Sequence, residues 1–485
     1  MSEKEIPARP LSETESALIA RVDEYKGELV DLLKRLVAID SRVVNLETFS
    51  DQSPIFAFIE DFMKETGAKC EYYRCPHPYA PANSGQSWPS MIAAIGESGG
   101  KTLQFCGHVD VVPFTPESWA SDPLIAVEKD GKIFGRGTAD MKGGIASQMM
   151  AFKILAKSGI PLKGRLQMLF FPDEEMNGEY GSQFMVREHK AAIDAPTIIS
   201  EPTGQPPIKS PAIIVGEKGH VWLKLKFLGA SGHGSMPKPR SNAINKANRF
   251  IASQAKLKLP KVKPPLSLGA MLGSLLKRFS LGSLIKIARA PPAETPDPYN
   301  EDGLGVGNFF KSTISFNQIH AGTKVNVIPS ICEMELDIRV LPGITIQQVL
   351  DSIVDYCTKL GFRAVVPKKF VNAQTTAGKL KKRPIDVEIS IISFTPGTFE
   401  DPGRPFTQLL SETFEDVYHV KAVYFFAPGS SDAVFFRGGG ITDVVLFGPT
   451  GGNTHDANEF VDIGDLVRMC KVYLLVAYRM LCKTT

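Results

Sequence analysis

The chain has 485 residues, longer than one compact core usually takes, so two domains are expected. Hydrophobic residues make up 43% and charged residues 22%, the balance of an ordinary soluble globular protein. A net charge of +3, from 55 basic and 52 acidic side chains, is too even for a nucleic-acid partner held by bulk electrostatics.

The start, MSEKEIPARPLSETES, lacks the apolar core of a signal peptide, and no stretch approaches the roughly 20 apolar residues that span a bilayer. Seven scattered cysteines include no CxxC pair, which argues against a thiolate zinc finger or a thioredoxin-type site. A reducing, cytoplasmic setting is expected.

In chain order, residues 12–40 carry Val30, Leu33, Leu36 and Val37 at helical spacing and predict an amphipathic helix. TLQFCGHVDVV reads as a buried strand, KGGIASQMMAFKILAKSG as a helix ending at Gly159, and RLQMLFFPDEE and APTIISEP as further strands. Strands separated by helices predict a mostly parallel α/β sheet, with ligands gathered beyond the carboxyl ends of its strands.

Near residue 218 the pattern changes. HVWLKLKFLGASGHGSM alternates apolar and polar residues, as a half-exposed antiparallel strand does. A helix from Asn242 to about Ala255, the strands STISFNQIHAG and CEMELDIRVLPG, the helix IQQVLDSIVDYCTKLG and the strand VEISIISFTPG complete a small α+β unit. The first pattern resumes with the helix PFTQLLSETFEDVYHV and the segment VVLFGPTGGNTHDANEF. The expected organisation is a main α/β domain at 1–217 and 401–485, interrupted by an inserted domain at 218–400.

One segment belongs to neither pattern. Lys256 to Arg289 holds eight cations and no acid, threaded by Leu268, Met271, Leu272, Leu275, Leu276 and Phe279. Such a stretch could rest on a membrane or an acidic partner. Pro264, Pro265 and several glycines interrupt it, which favours short helices packed on the inserted domain or on a sister subunit.

Five positions at strand ends offer metal ligands: His108 in GHVD, Asp140 in GRGTADMKGG, Glu175 in PDEE, Glu201 in SEPTG and His455 in NTHDANEF. With one shared carboxylate, five ligands supply three to each of two zinc ions and leave room for water between them. Cobalt or manganese could replace zinc in such an N/O site. Asp110 lies two residues after His108, on the same strand face, and could accept the imidazole's other N–H. Of the adjacent Glu174 and Glu175, one can bind metal while the other takes a proton from the bridging water; nothing local says which. The glycines around Asp140 lack the Lys-Ser/Thr pair of a phosphate-binding loop.

GHVDVVP, GRGTADMKGG, PDEE, SEPTG, GHGSMP, NVIP and THDANEF, in this order from about residue 20 to 480, resemble the di-zinc metallopeptidase family of aminoacylase, carboxypeptidase G, bacterial dipeptidases and succinyl-diaminopimelate desuccinylase. The resemblance implies that Asp140 bridges the metals and precedes a cis peptide to Met141. It places His108 and Glu201 on one zinc and Glu175 and His455 on the other, with Glu174 as the base and Asp110 behind the ligands. It makes the inserted domain a dimerisation lid, from which His233 reaches the partner's site and stabilises the oxyanion with help from Asn326. Arg339, in DIRVLPG, would clasp a substrate carboxylate, a task suited to a guanidinium. By the same resemblance, Ser430, Ser431 and Asp432 would lie in a loop that shapes the pocket.

The expected function is hydrolysis of an amide bond in a dipeptide or N-acyl amino acid. A di-zinc aminopeptidase that recognises a free amine, and a non-catalytic scaffold, are the competing readings. His233 could instead stabilise its own turn, and Arg339 could make a salt bridge along its strand.

Overall fold

A computed structural model describes residues 3–44, 52–78, 85–97, 99–204, 210–262, 268–280, 311–367 and 384–483. The helical pattern of residues 12–40 forms two helices, Glu13–Glu24 and Lys26–Ala38, rather than one. Tyr25 departs from helical dihedrals (φ −87°, ψ 4°), and Gly27, a weak helix former, follows it. Ser12 and Glu15 cap the first helix reciprocally, each side chain accepting the other's backbone N–H. The second helix buries Leu29, Leu33, Leu36 and Val37 in one stripe.

The strands that matter for the site are β1 (Lys69–Pro76), β2 (Ser87–Gly96), β3 (Thr102–His108), β4 (Arg165–Phe171), β5 (Thr197–Ile199) and β6 (Ile213–Glu217). The inserted unit contributes β7 (Gly219–Leu228), β8 (Thr313–Ala321), β9 (Ile331–Val340) and β10 (Val387–Thr395), and the chain returns through β11 (Tyr424–Ala427) and β12 (Val444–Leu446).

The large sheet runs β1-β2-β4-β3-β5-β12-β6 in space, with β11 also paired to β6. Its centre, β4, β3, β5 and β12, is parallel, whereas β1 and β2 flank it antiparallel. The central strands are buried along nearly their whole length, which is why they read as continuous apolar runs. Helix Lys142–Ala156 lies against the sheet and against the C-terminal helix Ile463–Leu481. Its first turn needs glycine: a Cβ on Gly144 would stand 2.2 Å from the Ser200 carbonyl, beside the end of β5 that carries Glu201.

The smaller sheet, ordered β8-β9-β7-β10, is antiparallel along these four strands. Val221, Leu223, Leu225 and Phe227 alternate inward and share a separate core with helices Ala243–Ala252 and Ile346–Lys359. The chain enters this unit between β6 and β7 and leaves it after Thr395. There the two crossings touch: a Cβ on Gly219 would lie 2.1 Å from the Thr395 carbonyl.

The basic-apolar insert divides between the two cores: Leu257, Leu259 and Val262 pack on the inserted unit, as expected, and its helix corrects the expectation. This helix, Leu268–Arg278, packs not on the inserted unit but on the main one, where Leu275 and Phe279 join the large core. Arg278 is fully buried, donating to the Pro211 and Ser210 carbonyls and pairing with Glu3 at 3.0 Å. The chain's first described residues are laid alongside it, with Lys4 N–H bonded to Arg278 O and Ile6 N–H to His419 O. A buried guanidinium needs such a set of acceptors, and they come from segments remote in sequence. Residues 281–310 of the insert lie outside the described residues, and so does 263–267.

Candidate active site

His108 ends β3, and the loops after β4 and β5 bring Glu174, Glu175 and Glu201 beside it, at the carboxyl edge of the parallel strands. Asp140 comes from the loop before helix Lys142–Ala156, and the Asp140–Met141 peptide is cis. His455 comes from the late loop 453–458, where Asn453, His455 and Asn458 all adopt left-handed φ (55°, 64° and 57°).

These residues converge as two overlapping groups, His108–Asp140–Glu201 and Asp140–Glu175–His455, each with ligand atoms within 4.8 Å of one another. Asp140 belongs to both. Its Oδ1 lies 3.1 Å from His108 Nε2 and its Oδ2 3.3 Å from His455 Nε2. Glu201 Oε1 is 3.6 Å from His108 Nε2, and Glu175 Oε2 is 3.0 Å from His455 Nε2. Glu174 Oε2 stands 3.9 Å from His108 Nε2.

The electrostatics are those of too many carboxylates in too little water. Burial, reinforced by the neighbouring carboxylates, pushes Glu174 and Glu201 well above the usual range and Glu175 above it. For Asp140, burial is outweighed by the hydrogen bonds to His108 and His455, and its carboxyl is held low. Hydrogen bonds to Asp140 and Glu175 push His455 up to about 10. Burial would lower His108, but bonds to Asp110 and Asp140 and the charge of Glu201 raise it well above its ordinary value.

Glu175 Oε1 and Glu201 Oε1 are buried and have no hydrogen-bond partner among the described residues. Buried oxygens left so, beside two imidazoles, suit a bound divalent cation, which satisfies lone pairs that no donor reaches. The donor set passes this test for both groups.

Asp110 is placed differently from the simple expectation. His108 Nδ1 is nearest the Asp110 backbone carbonyl, at 3.0 Å, with the carboxylate at 3.4 Å. The two carboxylate oxygens accept the backbone N–H groups of Glu174 (3.2 Å) and Glu175 (3.1 Å), so Asp110 holds the glutamate pair as well as facing the imidazole.

The residues of the inserted unit stand apart from this cluster. His233 is exposed, on a two-residue strand paired with Val327–Ile328, and its Nδ1 lies 2.7 Å from Ser235 Oγ. Asn326 is its neighbour, its carbonyl accepting Gly234 N–H. Arg339 makes a two-pronged contact with Asp337 on its own strand, 2.9 Å at Nε and 3.0 Å at Nη2. Neither His233 nor Arg339 bonds to the metal-side residues within one chain. Ser431 donates its N–H to buried Glu217, and Asp432 accepts from Ser182 Oγ.

Glu459 escaped the sequence reading although it lies within the THDANEF segment. Its buried carboxylate accepts N–H groups from Ala139 (2.8 Å), Asp140 (2.9 Å) and Gly137 (3.0 Å), and pairs with Arg136 at 2.6 Å. An acid flanked by Asn and Phe was the available signal, but only the fold shows what it faces. Trp119 is stacked by Arg136 and Ala120 N–H donates to Asn458, so the Trp119 loop is fastened to the His455 loop.

Fold and site together define a metallohydrolase. Residues 105–479 match peptidase family M20/M25/M40, and the chain belongs to that family. It is 26% identical over 449 residues to succinyl-diaminopimelate desuccinylase of Sulfurovum sp., covering 92% of this chain and 97% of that protein. It is 28% identical over 321 residues to acetylornithine deacetylase of Photorhabdus laumondii, covering 66% and 69% of the two chains. Human carnosine dipeptidase 1 shares the fold with a TM-score of 0.69 at 17% identity, over 98% of this chain and 99% of that one. An M20 family metallo-carboxypeptidase of Sulfolobus solfataricus does so with a TM-score of 0.66 at 18% identity, over 93% and 98%.

Proposed function

We propose that this enzyme hydrolyses the amide bond of a dipeptide or N-acyl amino acid bearing a free carboxylate, with two zinc ions as its cofactor. The observation that carries the reading is the sharing of Asp140: its two oxygens face two different imidazoles, and each imidazole has its own further glutamate. His108 and Glu201 would hold one cation, Glu175 and His455 the other, with Asp140 between them. Cobalt or manganese would substitute. When bound, the pair polarises the scissile carbonyl and lowers the pKa of the water between its members.

Glu174 is not needed as a ligand and stands within reach of the same space. Its carboxylate takes the proton of the attacking water and returns it to the leaving amine, as a base–acid of suitable position does. Asp110 keeps that carboxylate in place by gripping the backbone of Glu174 and Glu175. In a homodimer formed through the inserted unit, His233 of the partner subunit, seconded by Asn326, donates to the developing oxyanion. Its exposure, and the absence among the described residues of any hydrogen bond or ion pair from it to its own chain's cluster, support that role. Arg339, already turned outward with Asp337, binds the substrate carboxylate with its remaining donors.

The substrate class is supported by relatives named for removing a succinyl and an acetyl group and by a dipeptidase of the same fold. A cytoplasmic location is supported by seven unpaired cysteines, six of them buried. No helix among the described residues is long and apolar enough to cross a membrane.

A panel of dipeptides and N-acyl amino acids, assayed with added zinc or cobalt, tests the proposal; free and N-acetylated dipeptides separate it from an aminopeptidase. Glu174→Ala should lower turnover by about 10²–10⁴-fold with both metals retained. Near-wild-type turnover in a variant that still holds two metals overturns it.

A further inference from the structure

Two ligands of the proposed centre lie more than three hundred positions apart in the chain, on loops that leave paired strands of a small antiparallel sheet, Lys132–Phe134 beside Phe460–Asp462 and Gly451–Gly452, whose ladder ends before either ligand is reached. Asp140 ends the loop that starts at Gly135, and His455 sits in a loop with three non-glycine residues in left-handed conformation. Such a backbone persists only where its surroundings over-determine it.

Glu459 is where the two loops meet. One oxygen accepts Ala139 N–H and Asp140 N–H, and the other accepts Gly137 N–H and an Arg136 N–H. The Glu459 carbonyl also accepts Gly135 N–H at 3.0 Å. The whole 135–140 loop is therefore wrapped around a residue four places beyond His455. Arg136 closes the arrangement from the other side, its second nitrogen donating to the Asp456 carbonyl, next to His455, at 3.3 Å. Asn453 Nδ2 bonds to the Asn458 carbonyl across the same loop.

We propose that Glu459, with Arg136 behind it, is the positioning residue that holds Asp140 and His455 in register with each other. It touches neither substrate nor cation and acts through the backbone it grips. A carboxylate suits the place because it is acceptor-only: four donors converge on it, and an amide would turn a donor toward at least one of them. The inference rests on the metal-centre reading above and goes beyond it, because beyond the paired strands Lys132–Phe134 and Phe460–Asp462 it assigns the placing of the two ligand loops to a side chain outside both ligand groups.

The test is zinc binding to metal-free protein, measured by competition with a chromophoric chelator, for wild type, Glu459→Gln and Arg136→Lys, with thermal melts of the metal-free forms alongside. Glu459→Gln should weaken zinc binding by about 10–100-fold, as loss of such outer partners does, and lower kcat far more than it raises KM. Arg136→Lys keeps the charge with fewer donors and should shift both in the same sense by less. A lowered melting temperature with wild-type zinc affinity would mean that Glu459 serves stability alone, and the proposal would be wrong. Should Glu459→Gln not fold, Arg136→Lys decides: weaker zinc binding supports the proposal and unchanged binding overturns it. Failure of the wild type to take two metals would instead refute the metal-centre reading, a separate outcome.

Discussion

Glu217 and Arg437 form an ion pair 2.9 Å long, almost wholly buried, at the point where the chain leaves the large sheet for the inserted unit. Arg437 also donates to Thr398 Oγ1 on the returning crossing and to the Val444 carbonyl on β12. The other oxygen of Glu217 accepts the Ser431 N–H. One pair thus ties both crossings to the loop beside the site. Removing one partner leaves a buried charge uncompensated, so Arg437→Met or Glu217→Gln should cost about 3–5 kcal/mol in denaturant unfolding. Replacing both should cost less than the sum of the two, because no orphan charge then remains.

Proton release should accompany metal uptake. Without metal, His455 is pushed up to about 10 by Asp140 and Glu175, and His108 is raised as well. A raised pKa means that the proton stabilises the folded metal-free state. For His455 this contribution is full below its unfolded value near 6.5 and is lost as pH rises through about 10. Cations compete with those protons, so apparent zinc affinity should climb with pH across the neutral range and level off only near the upper value. Calorimetry in two buffers of different ionisation enthalpy reads the release directly. Affinity independent of pH would remove His455 from the ligand set.

If His233 serves the neighbouring subunit, two inactive proteins should repair each other. His233→Ala and Glu174→Ala homodimers, unfolded together and refolded as a mixture, would form heterodimers with one site intact. Activity should appear in the mixture and in neither parent, whereas continued inactivity with proven subunit exchange argues that His233 acts within its own chain or not at all.

Arg278 offers a test of the insert's docking. Truncation to Met removes its bonds to Pro211, Ser210 and Glu3 and leaves their acceptors facing an apolar chain. Loss of several kcal/mol is expected. Removing the residues up to Ile6 deletes Glu3 and should destabilise in the same direction. Because none of Arg278's partners is a proposed ligand, zinc affinity should be unchanged in both variants; a parallel loss of metal binding would show that the docked helix also supports the ligand cluster.

Much of the fold is legible in residue order because periodicity is local. Apolar runs at 102–108, 165–171 and 197–199 announce buried parallel strands, and the switch to alternation after residue 218 announces an exposed antiparallel sheet. The break at Tyr25 was less visible, since one residue off helical geometry scarcely disturbs a stripe of leucines. The helix of the insert was misplaced for a related reason: its amphipathic pattern says that it packs, but not against which core.

The residues proposed to carry the chemistry were nameable in the chain, the ligand candidates by type and position at strand ends and Glu174 as base only through the family resemblance. Tertiary structure alone decided that Asp110 grips the backbone of the glutamate pair, that Arg339 meets Asp337, and that Glu459 joins loops from opposite ends of the chain. The physical reason is range. Hydrophobic period and turn chemistry act over a few residues, whereas a hydrogen bond or a shared ligand depends on positions to within tenths of an ångström, set by the packing of segments hundreds of residues apart.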